Sequence, residues 1–451
     1  MTASKLESGG RLLRVFGVVF GLAVIIGNTI GAGILRTPGE IAGRLPTEGL
    51  FFGVWVAGGL YALLGALNLA ELGAMLPRSG GQYVFARHAF GSYAGFVIGW
   101  SDWLSTNAST AAVSIVIGES VGVLVPAMAP ISKWVAMATI VVFTAILWRG
   151  QRTSGTAQTT TSLLKGLALV ALILACFLLP HPAPNAPAAA RAVPAGAALL
   201  TAIVLSMQSV IYTYDGWNGV VYFSEEVHDP GRDIPRSMLG GVVSVITVYV
   251  LLNLAFVFVL SLPGMAGEPF VASSAARALF GAHGYPIVSC LTVLLLLSTV
   301  NALLLMASRV PVAMSQDGLF PASAARVSAS GTPTTSLAAS AAVALLFTAT
   351  GVFQSVIAIA AFYFVANYIV SFAAVFWLRL REPDRPRPYH AWGYPWTTGL
   401  ALVGSAAFLI AAAIGDTKQS AYALALLALS YPVYRLGVRA NARSGGTPGA
   451  T

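Results

Sequence analysis

The sequence predicts an all-α membrane protein with twelve transmembrane helices. Hydrophobic residues make up 57% of the 451 residues and charged residues only 9%, and the mean hydropathy is +0.79. A soluble domain carries about 25% charged residues, so this composition excludes a large soluble core. The apolar residues form continuous runs of about 20, the length of a helix that crosses the hydrocarbon core. The strands of a membrane barrel would instead alternate in polarity.

The arrangement of basic residues predicts the orientation in the membrane. The net charge is +9, and the basic residues lie mostly in short gaps between apolar runs, which favours membrane topology over nucleic-acid binding. Eighteen Lys and Arg residues fall on the side that holds both termini and five fall on the other. The positive-inside rule therefore predicts an inner (plasma) membrane protein with cytoplasmic N- and C-termini. The predicted spans are 14–43, 49–76, 90–124, 131–149, 155–180, 198–223, 237–262, 285–308, 334–352, 355–379, 396–415 and 420–438.

Two of the predicted spans are interrupted by glycine-rich segments, 27–33 in the first and 212–219 in the sixth. Glycine weakens a helix by about 1 kcal/mol relative to alanine. The two segments correspond if spans 1–5 and 6–10 form an inverted repeat, and such a pair indicates a binding site at the middle of the membrane. The alternative is close helix packing through small residues. It is less favoured for the second segment, which contains Asp215.

A broken helix exposes free N–H groups at the start of one half and free C=O groups at the end of the other. An amino acid carries a carboxylate and an ammonium on one carbon, which matches these two ends. We expect the N–H groups near 31–33 to bind the carboxylate and the C=O groups near Thr29 and 212–215 to bind the ammonium. The candidate substrate-binding residues are Asn28, Thr29, Ile30, Gly31, Ala32, Gly33, Tyr212, Thr213, Asp215, Gly216, Trp217 and Asn301. Ordinary packing for Trp217 and polar contact between helices for Asn301 remain alternatives.

Ionisable residues inside predicted spans are hypotheses for function because burying charge in a membrane is costly. Asp215 is predicted to attract the substrate ammonium, to carry a proton, or to bond free amides of the broken helix. Lys165 is predicted to couple transport, either in place of sodium or as a proton carrier, with snorkelling to the cytoplasmic face as the alternative. For Glu71, Asp102 and Glu119, an interfacial position or helix capping is the favoured interpretation.

No catalytic constellation occurs: the sequence has no Walker loop, nucleophile elbow or HExxH motif. The two cysteines, Cys176 and Cys290, lie inside apolar runs, which indicates neither a disulfide framework nor a metal site. We therefore expect no enzymatic activity and no cofactor.

Several short stretches between about residues 15 and 395 carry a family resemblance. They are 25–34, 70–73, 78–83, 214–218, 224–227, 229–235, 308–309, 317–321, 387–389 and 393–395. Together they resemble the amino acid–polyamine–organocation superfamily, and within it the L-type amino acid transporters and their bacterial relatives. The resemblance is specific for the family and does not define the substrate.

The resemblance implies a LeuT-like fold. Its two inverted five-helix repeats would comprise 14–180 and 198–380, followed by two helices in 396–438, with a cytoplasmic N-terminus at 1–13 and a cytoplasmic tail at 439–451. It also implies a gating role for Tyr212, and sodium independence because Lys165 falls where many relatives replace the sodium site with lysine. Asn28 and Asp215 depart from many animal relatives, which have small residues there.

The leading functional hypothesis is a sodium-independent secondary transporter of neutral L-amino acids that works by alternating access, as an exchanger or a proton symporter. A cationic amino acid or polyamine antiporter is the second hypothesis, and a ligand-binding membrane sensor or channel is the third. The expected partners are an amino acid, membrane lipid and, for symport, protons. No obligatory partner chain is expected, because the cysteine that links animal members to a glycoprotein has no counterpart between spans 3 and 4.

Overall fold

The structure, a computed structural model, describes residues 14–31, 33–180, 192–350, 353–415 and 417–443. Within these residues the regular elements are helices, and one isolated bridge joins Phe16 to Val227. The α-helices are α1 Val18–Thr29, α2 Gly33–Arg44, α3 Glu48–Met75, α4 Gln82–Phe90, α5 Ser92–Leu124, α6 Ser132–Trp148, α7 Gln151–Leu178, α8 Ala197–Tyr214, α9 Pro230–Leu260, α10 Leu262–Met265, α11 Val271–Phe280, α12 Gly284–Gln316, α13 Thr334–Thr350, α14 Phe353–Arg381, α15 Trp396–Gly415, α16 Thr417–Ala428 and α17 Ser430–Arg443.

The all-helical membrane fold predicted from the sequence is confirmed. Among the described residues, ten helical segments are long and apolar enough to cross a membrane. An eleventh span forms if α1 and α2, which meet at a bend of 46°, are one broken helix. The ninth predicted span, 334–352, corresponds to α13, an apolar helix that is shorter than these segments. The boundaries of the two five-helix repeats remain a prediction.

Some helix ends differ from the predicted spans. Helix α9 begins at Pro230 rather than near residue 237, because proline fits the first turn of a helix, where its missing N–H costs no hydrogen bond. Helix α12 continues to Gln316, eight residues past the predicted end. The last predicted span is divided into α16 and α17 on either side of Leu429.

The packing places the two broken helices at the centre of the molecule. Helices α5 and α12 pack along one another and are buried over much of their length. Helix α1 lies against α7, α9 and α12, while α8 contacts α2 and α3. Each break is therefore surrounded by other helices, as irregular backbone at membrane depth requires.

Candidate functional site

The first break lies between α1 and α2. Helix α1 ends at Thr29, and Ile30 leaves the helix with φ −78° and ψ 98°. Helix α2 begins at Gly33 and directs its first free N–H groups toward the break. Ala32, a predicted carboxylate contact, lies outside the described residues.

Lys165 on α7 binds the carbonyl groups of this break. Its Nζ donates to the Gly27 carbonyl at 2.9 Å, to the Ile30 carbonyl, and to the Thr299 hydroxyl at 3.0 Å. Thr299 on α12 also donates to the Gly27 carbonyl at 3.0 Å. Lys165 is fully buried, so its ammonium does not snorkel to the surface. The Lys165 nitrogen therefore lies among two backbone carbonyls and a hydroxyl.

Tyr249 on α9 contacts both broken helices. Its hydroxyl lies 2.8 Å from the Thr29 carbonyl and 2.9 Å from the Thr213 carbonyl. Thr29 is the last residue of α1, and Thr213 is the penultimate residue of α8. The sequence did not single out Tyr249, because one tyrosine in an apolar span carries no signal of its own.

The second break begins where α8 ends at Tyr214, and a 3-10 helix follows at Gly219–Glu226. Gly216 between them has φ +112°, which favours glycine. A Cβ atom at Gly216 would lie 2.9 Å from the Thr29 backbone nitrogen. The Asn28 amide donates to the Gly216 carbonyl at 3.4 Å. The two breaks are therefore in direct contact, and the contact requires a residue without a side chain.

Asp215 supplies a carboxylate at this contact. The Tyr368 hydroxyl from α14 donates to Asp215 Oδ1, and the Gly216 N–H bonds the same carboxylate. The Tyr368 ring stacks on Trp217, with ring centroids 4.9 Å apart. Trp217 is buried, so it supports Tyr368 from behind.

A cavity of about 420 Å³ opens beside the two breaks. Small-molecule sites occupy about 300–1,000 Å³, so the cavity has room for an amino acid. It extends toward the side of the molecule on which α2 ends and α8 and α16 begin. The lining residues are Asn28, Thr29, Gly31, Gly33, Arg36, Thr37, Glu40, Ser109, Val113, Val116, Gln208, Ser209, Tyr212, Thr213, Asp215, Thr299, Leu303, Ala361, Phe362, Phe364, Phe408, Ala412, Gln419 and Ser420.

A cluster of ion pairs surrounds Asp317, away from the cavity. Asp317 at the end of α12 accepts from Arg78 at 3.1 Å and from the Tyr83 hydroxyl at 2.7 Å, and lies 3.3 Å from Arg87. Burial, together with the Asp317 carboxylate, raises the pKa of Tyr83 well above its usual range, so its hydroxyl remains a donor. These bonds join α4, α12 and the segment before α4.

Another ion pair on α12 is buried. Arg309 on α12 donates to Glu226 at the end of the 3-10 helix at 3.2 Å, and its guanidinium lies over the Phe223 ring, 5.1 Å from the centroid. The pair fixes the segment that follows the second break.

Seven of the predicted substrate-binding residues line the cavity: Asn28, Thr29, Gly31, Gly33, Tyr212, Thr213 and Asp215. Ile30 and Gly216 contribute backbone at the break but are not among the lining residues. Asn301 donates to the Gln158 side chain at 2.7 Å, away from the cavity. Trp217 packs behind Tyr368.

Other lining residues were not predicted. Arg36 and Thr37 lie one helical turn beyond Gly33, and Gln208 lies one turn before Tyr212, so helical periodicity from the breaks would have found them. Ser109 and its neighbours on α5 gave no such signal, because the sequence does not reveal which helix faces a break.

Two expectations need correction, and a third stays a prediction. The Thr29 carbonyl, expected to face the ammonium, accepts a bond from Tyr249, and the neighbouring Ile30 carbonyl accepts one from Lys165. A carbonyl oxygen has two lone pairs, so the ammonium contact stays a prediction. Asp102 is not interfacial: it is buried within α5 and accepts from the Tyr222 hydroxyl at 2.7 Å. Glu71 is likewise buried. Its partners are Arg379, Arg387 and the Ala391 N–H.

In this multi-pass helical protein, two broken helices meet at a cavity that contains a carboxylate and a helix N-terminus. This is the architecture of a secondary transporter. Comparison with known families agrees with this class. The model of the family described as amino acid permease matches residues 12–431, and the chain belongs to this family. The superfamily resemblance read from the motifs is confirmed.

Similar proteins include transporters from bacteria and animals. The serine/threonine exchanger SteT of Bacillus subtilis (strain 168) is 27% identical over 434 residues, 94% of this chain and 96% of that protein. The large neutral amino acids transporter small subunit 2 of Mus musculus is 28% identical over 455 residues, 97% of this chain and 83% of that protein. The b(0,+)-type amino acid transporter 1 of Oryctolagus cuniculus is 28% identical over 298 residues, 64% and 60% of the two chains.

Proposed function

We propose that this permease is a sodium-independent carrier of neutral L-amino acids that works by alternating access, as an exchanger or a proton symporter. The observation that carries the proposal is the cavity, which brings the N-terminus of α2 and the Asp215 carboxylate together. The free N–H groups of α2 would hold the substrate carboxylate. Asp215 would hold the ammonium, since Tyr249 and Lys165 already bond the carbonyls of the first break.

Sodium independence is supported by Lys165. Its ammonium bonds the Gly27 and Ile30 carbonyls and the Thr299 hydroxyl. These are hard oxygen ligands of the kind that a sodium ion would need. Because the Lys165 nitrogen fills this position, it would leave no room for a sodium ion.

A neutral substrate is supported by the charges around the cavity. Asp215 is the carboxylate beside the breaks, and the α-ammonium would use it. Arg36 on α2 lines the same cavity and would repel a cationic side chain. Val113, Val116 and Leu303 offer apolar contacts to a neutral one. Similarity to a serine/threonine exchanger and to a large neutral amino acids transporter subunit agrees with this choice.

The second candidate is a carrier of cationic amino acids or polyamines, and Glu40 favours it. Glu40 also lines the cavity, and its side chain is 54% exposed. It lies 3.8 Å from Arg44, which offsets its charge, so we rank this candidate lower.

We further propose an inner (plasma) membrane location with both termini in the cytoplasm, supported by the distribution of Lys and Arg residues. In that orientation the cavity opens outward and the Asp317 cluster closes the cytoplasmic side. Both cysteines lie in apolar helices, which supports function without a disulfide-linked partner chain.

Uptake of radiolabelled amino acids into proteoliposomes tests the function. Each amino acid is supplied with and without internal amino acid, with and without sodium, and with and without an acid-outside pH gradient. Neutral amino acids should enter without sodium. Dependence on internal amino acid would establish exchange, and dependence on the gradient would establish proton symport. Selective uptake of lysine or polyamines would replace the first candidate by the second, and binding without accumulation would support a sensor.

A further inference from the structure

The negative ends of the two broken helices converge on one buried point. Helix α1 ends at Thr29 and α8 at Tyr214, and each leaves carbonyl groups without a helical donor. Both ends carry partial negative charge. In the membrane interior, water does not satisfy such groups, so the approach of the two ends needs a donor between them.

Tyr249 supplies that donor. Its hydroxyl lies within 2.9 Å of both the Thr29 and the Thr213 carbonyl oxygens. A phenol has a single proton, so the two carbonyls share it. The ring is fully buried and held between Trp55 and Tyr214, at centroid distances of 5.9 and 4.9 Å. The hydroxyl therefore has little freedom to turn away from either helix.

We propose that Tyr249 is a positioning residue for transport, whose hydroxyl ties the ends of α1 and α8 so that the two substrate-binding breaks move and hold together. This inference rests on the proposed function, because it concerns the same site. Tyr249 is not among the cavity-lining residues and acts through the backbone of Thr29 and Thr213. The tie fixes the distance between the start of α2 and Asp215, which would bind opposite ends of one amino acid.

The hydroxyl has a second consequence for recognition. It bonds the carbonyl groups that a substrate ammonium would otherwise use, and so directs the ammonium toward the Asp215 carboxylate. Tyr249 thereby favours binding of the ammonium by the Asp215 side chain over binding by the backbone carbonyls.

The test compares Tyr249→Phe with Tyr214→Phe. The Tyr249 variant keeps the ring packing and removes the shared proton. Tyr214 is a matched control, since its ring touches the same neighbours and its buried hydroxyl has no hydrogen-bond partner among the described residues. We expect Tyr249→Phe to raise the KM for amino acid uptake about fivefold, because the hydroxyl serves two carbonyl groups and the change lies within the range of hydrogen bonds between membrane helices. The maximal rate should change less than twofold, and Tyr214→Phe should leave both unchanged.

Hydrogen–deuterium exchange separates positioning from general destabilisation. In Tyr249→Phe, peptides that cover residues 27–33 and 212–219 should both exchange faster, while peptides of α5 and α12 keep their wild-type rates. Faster exchange throughout the protein, or in one break alone, would overturn the proposal. An unchanged KM would do so as well.

Wild-type protein provides a readout that needs no variant. Added amino acid should slow exchange at both breaks together, and protection of one break alone would contradict the tie. If the wild type takes up no amino acid at all, the proposed function fails. The exchange rates of the two breaks in Tyr249→Phe then still decide whether Tyr249 ties them.

Discussion

The two breaks contain similar residues but are stabilised in different ways. In the first, the carbonyls of Gly27, Thr29 and Ile30 each accept a bond from a side chain of another helix. In the second, the Asp215 carboxylate lines the cavity. The carbonyls of the first break are thus bonded by surrounding helices, and this break offers mainly the N-terminus of α2 to a ligand. The second break is also bonded by its neighbours, at Thr213 and Asp215, but it offers a charge as well.

The cost of burying charge accounts for this difference. Lys165 is placed against three oxygen acceptors, which offset the desolvation of its ammonium. Asp215 has the Tyr368 hydroxyl and the Gly216 N–H, and none of its bonded partners within the described part of the chain is a cation. A substrate ammonium would supply that charge, so binding would complete the electrostatics of the second break, while the substrate carboxylate would bind the free N–H groups of α2 in the first.

The largest effect is expected from Lys165→Met, which removes the cation of the first break and keeps a side chain of similar length. The Gly27 and Ile30 carbonyls lose a charged donor, and bonds to charged groups contribute about 1.5–3 kcal/mol each. Uptake into proteoliposomes should fall at least about tenfold, with membrane insertion measured in parallel.

Lys418→Met is the matched control for this variant, since Lys418 is exposed at the start of α16. It should transport like the wild type. Equal loss of insertion and of uptake in Lys165→Met would mean that the residue supports folding alone. The difference between the two breaks would then say nothing about transport.

The next effect is expected from Asp215→Asn, which keeps the shape of the second break and removes its charge. Loss of a charged contact with the ammonium should raise the KM about tenfold, from the ~1.5–3 kcal/mol that such bonds contribute. Asp102→Asn is the control, because Asp102 is buried but is not among the cavity-lining residues. A similar rise in KM for both variants would show that buried acids influence substrate binding through their long-range electrostatic field. Direct contact between Asp215 and the substrate would then not explain the effect.

The sequence was sufficient to predict the helical membrane fold and the two breaks. Continuous apolar runs define spans because only satisfied backbone crosses lipid, and clustered glycines with Asp215 in one of them define the breaks. Seven of the predicted contacts line the cavity for this reason: they belong to the breaks themselves.

The side chains of other helices that contact the breaks could not be predicted from the sequence. Tyr249, Tyr368 and Ser109 lie on three different helices, and their relevance depends on which helix face meets a break. The apolar periodicity of a membrane helix carries little of that information, because one face meets lipid and another meets protein of similar polarity. Asn301 illustrates the converse, since a polar residue in a promising span bonds Gln158 instead.

The smallest effect is expected from Thr37→Val, which probes the contact between the α2 half of the first break and the second. The hydroxyls of Thr37 and Thr213 lie 3.1 Å apart, and Thr213 donates its own proton to the Ser209 carbonyl at 2.7 Å. Thr37 is therefore the donor of this pair. Intramembrane hydrogen bonds of this kind average about 0.6 kcal/mol, so the KM for uptake should rise less than about threefold.

Thr201→Val serves as the comparison for this last variant, because Thr201 is exposed on α8 and, among the residues that the structure describes, its hydroxyl bonds its own helix, at the Ala197 carbonyl. It should leave KM unchanged. An effect of Thr37→Val as large as that of Asp215→Asn would mean that neutral hydroxyls hold the two breaks as firmly as charge does. We would then no longer distinguish a first break that is held by other helices from a second break whose charge is paired by the substrate. Both breaks would depend instead on ordinary packing between α2 and α8.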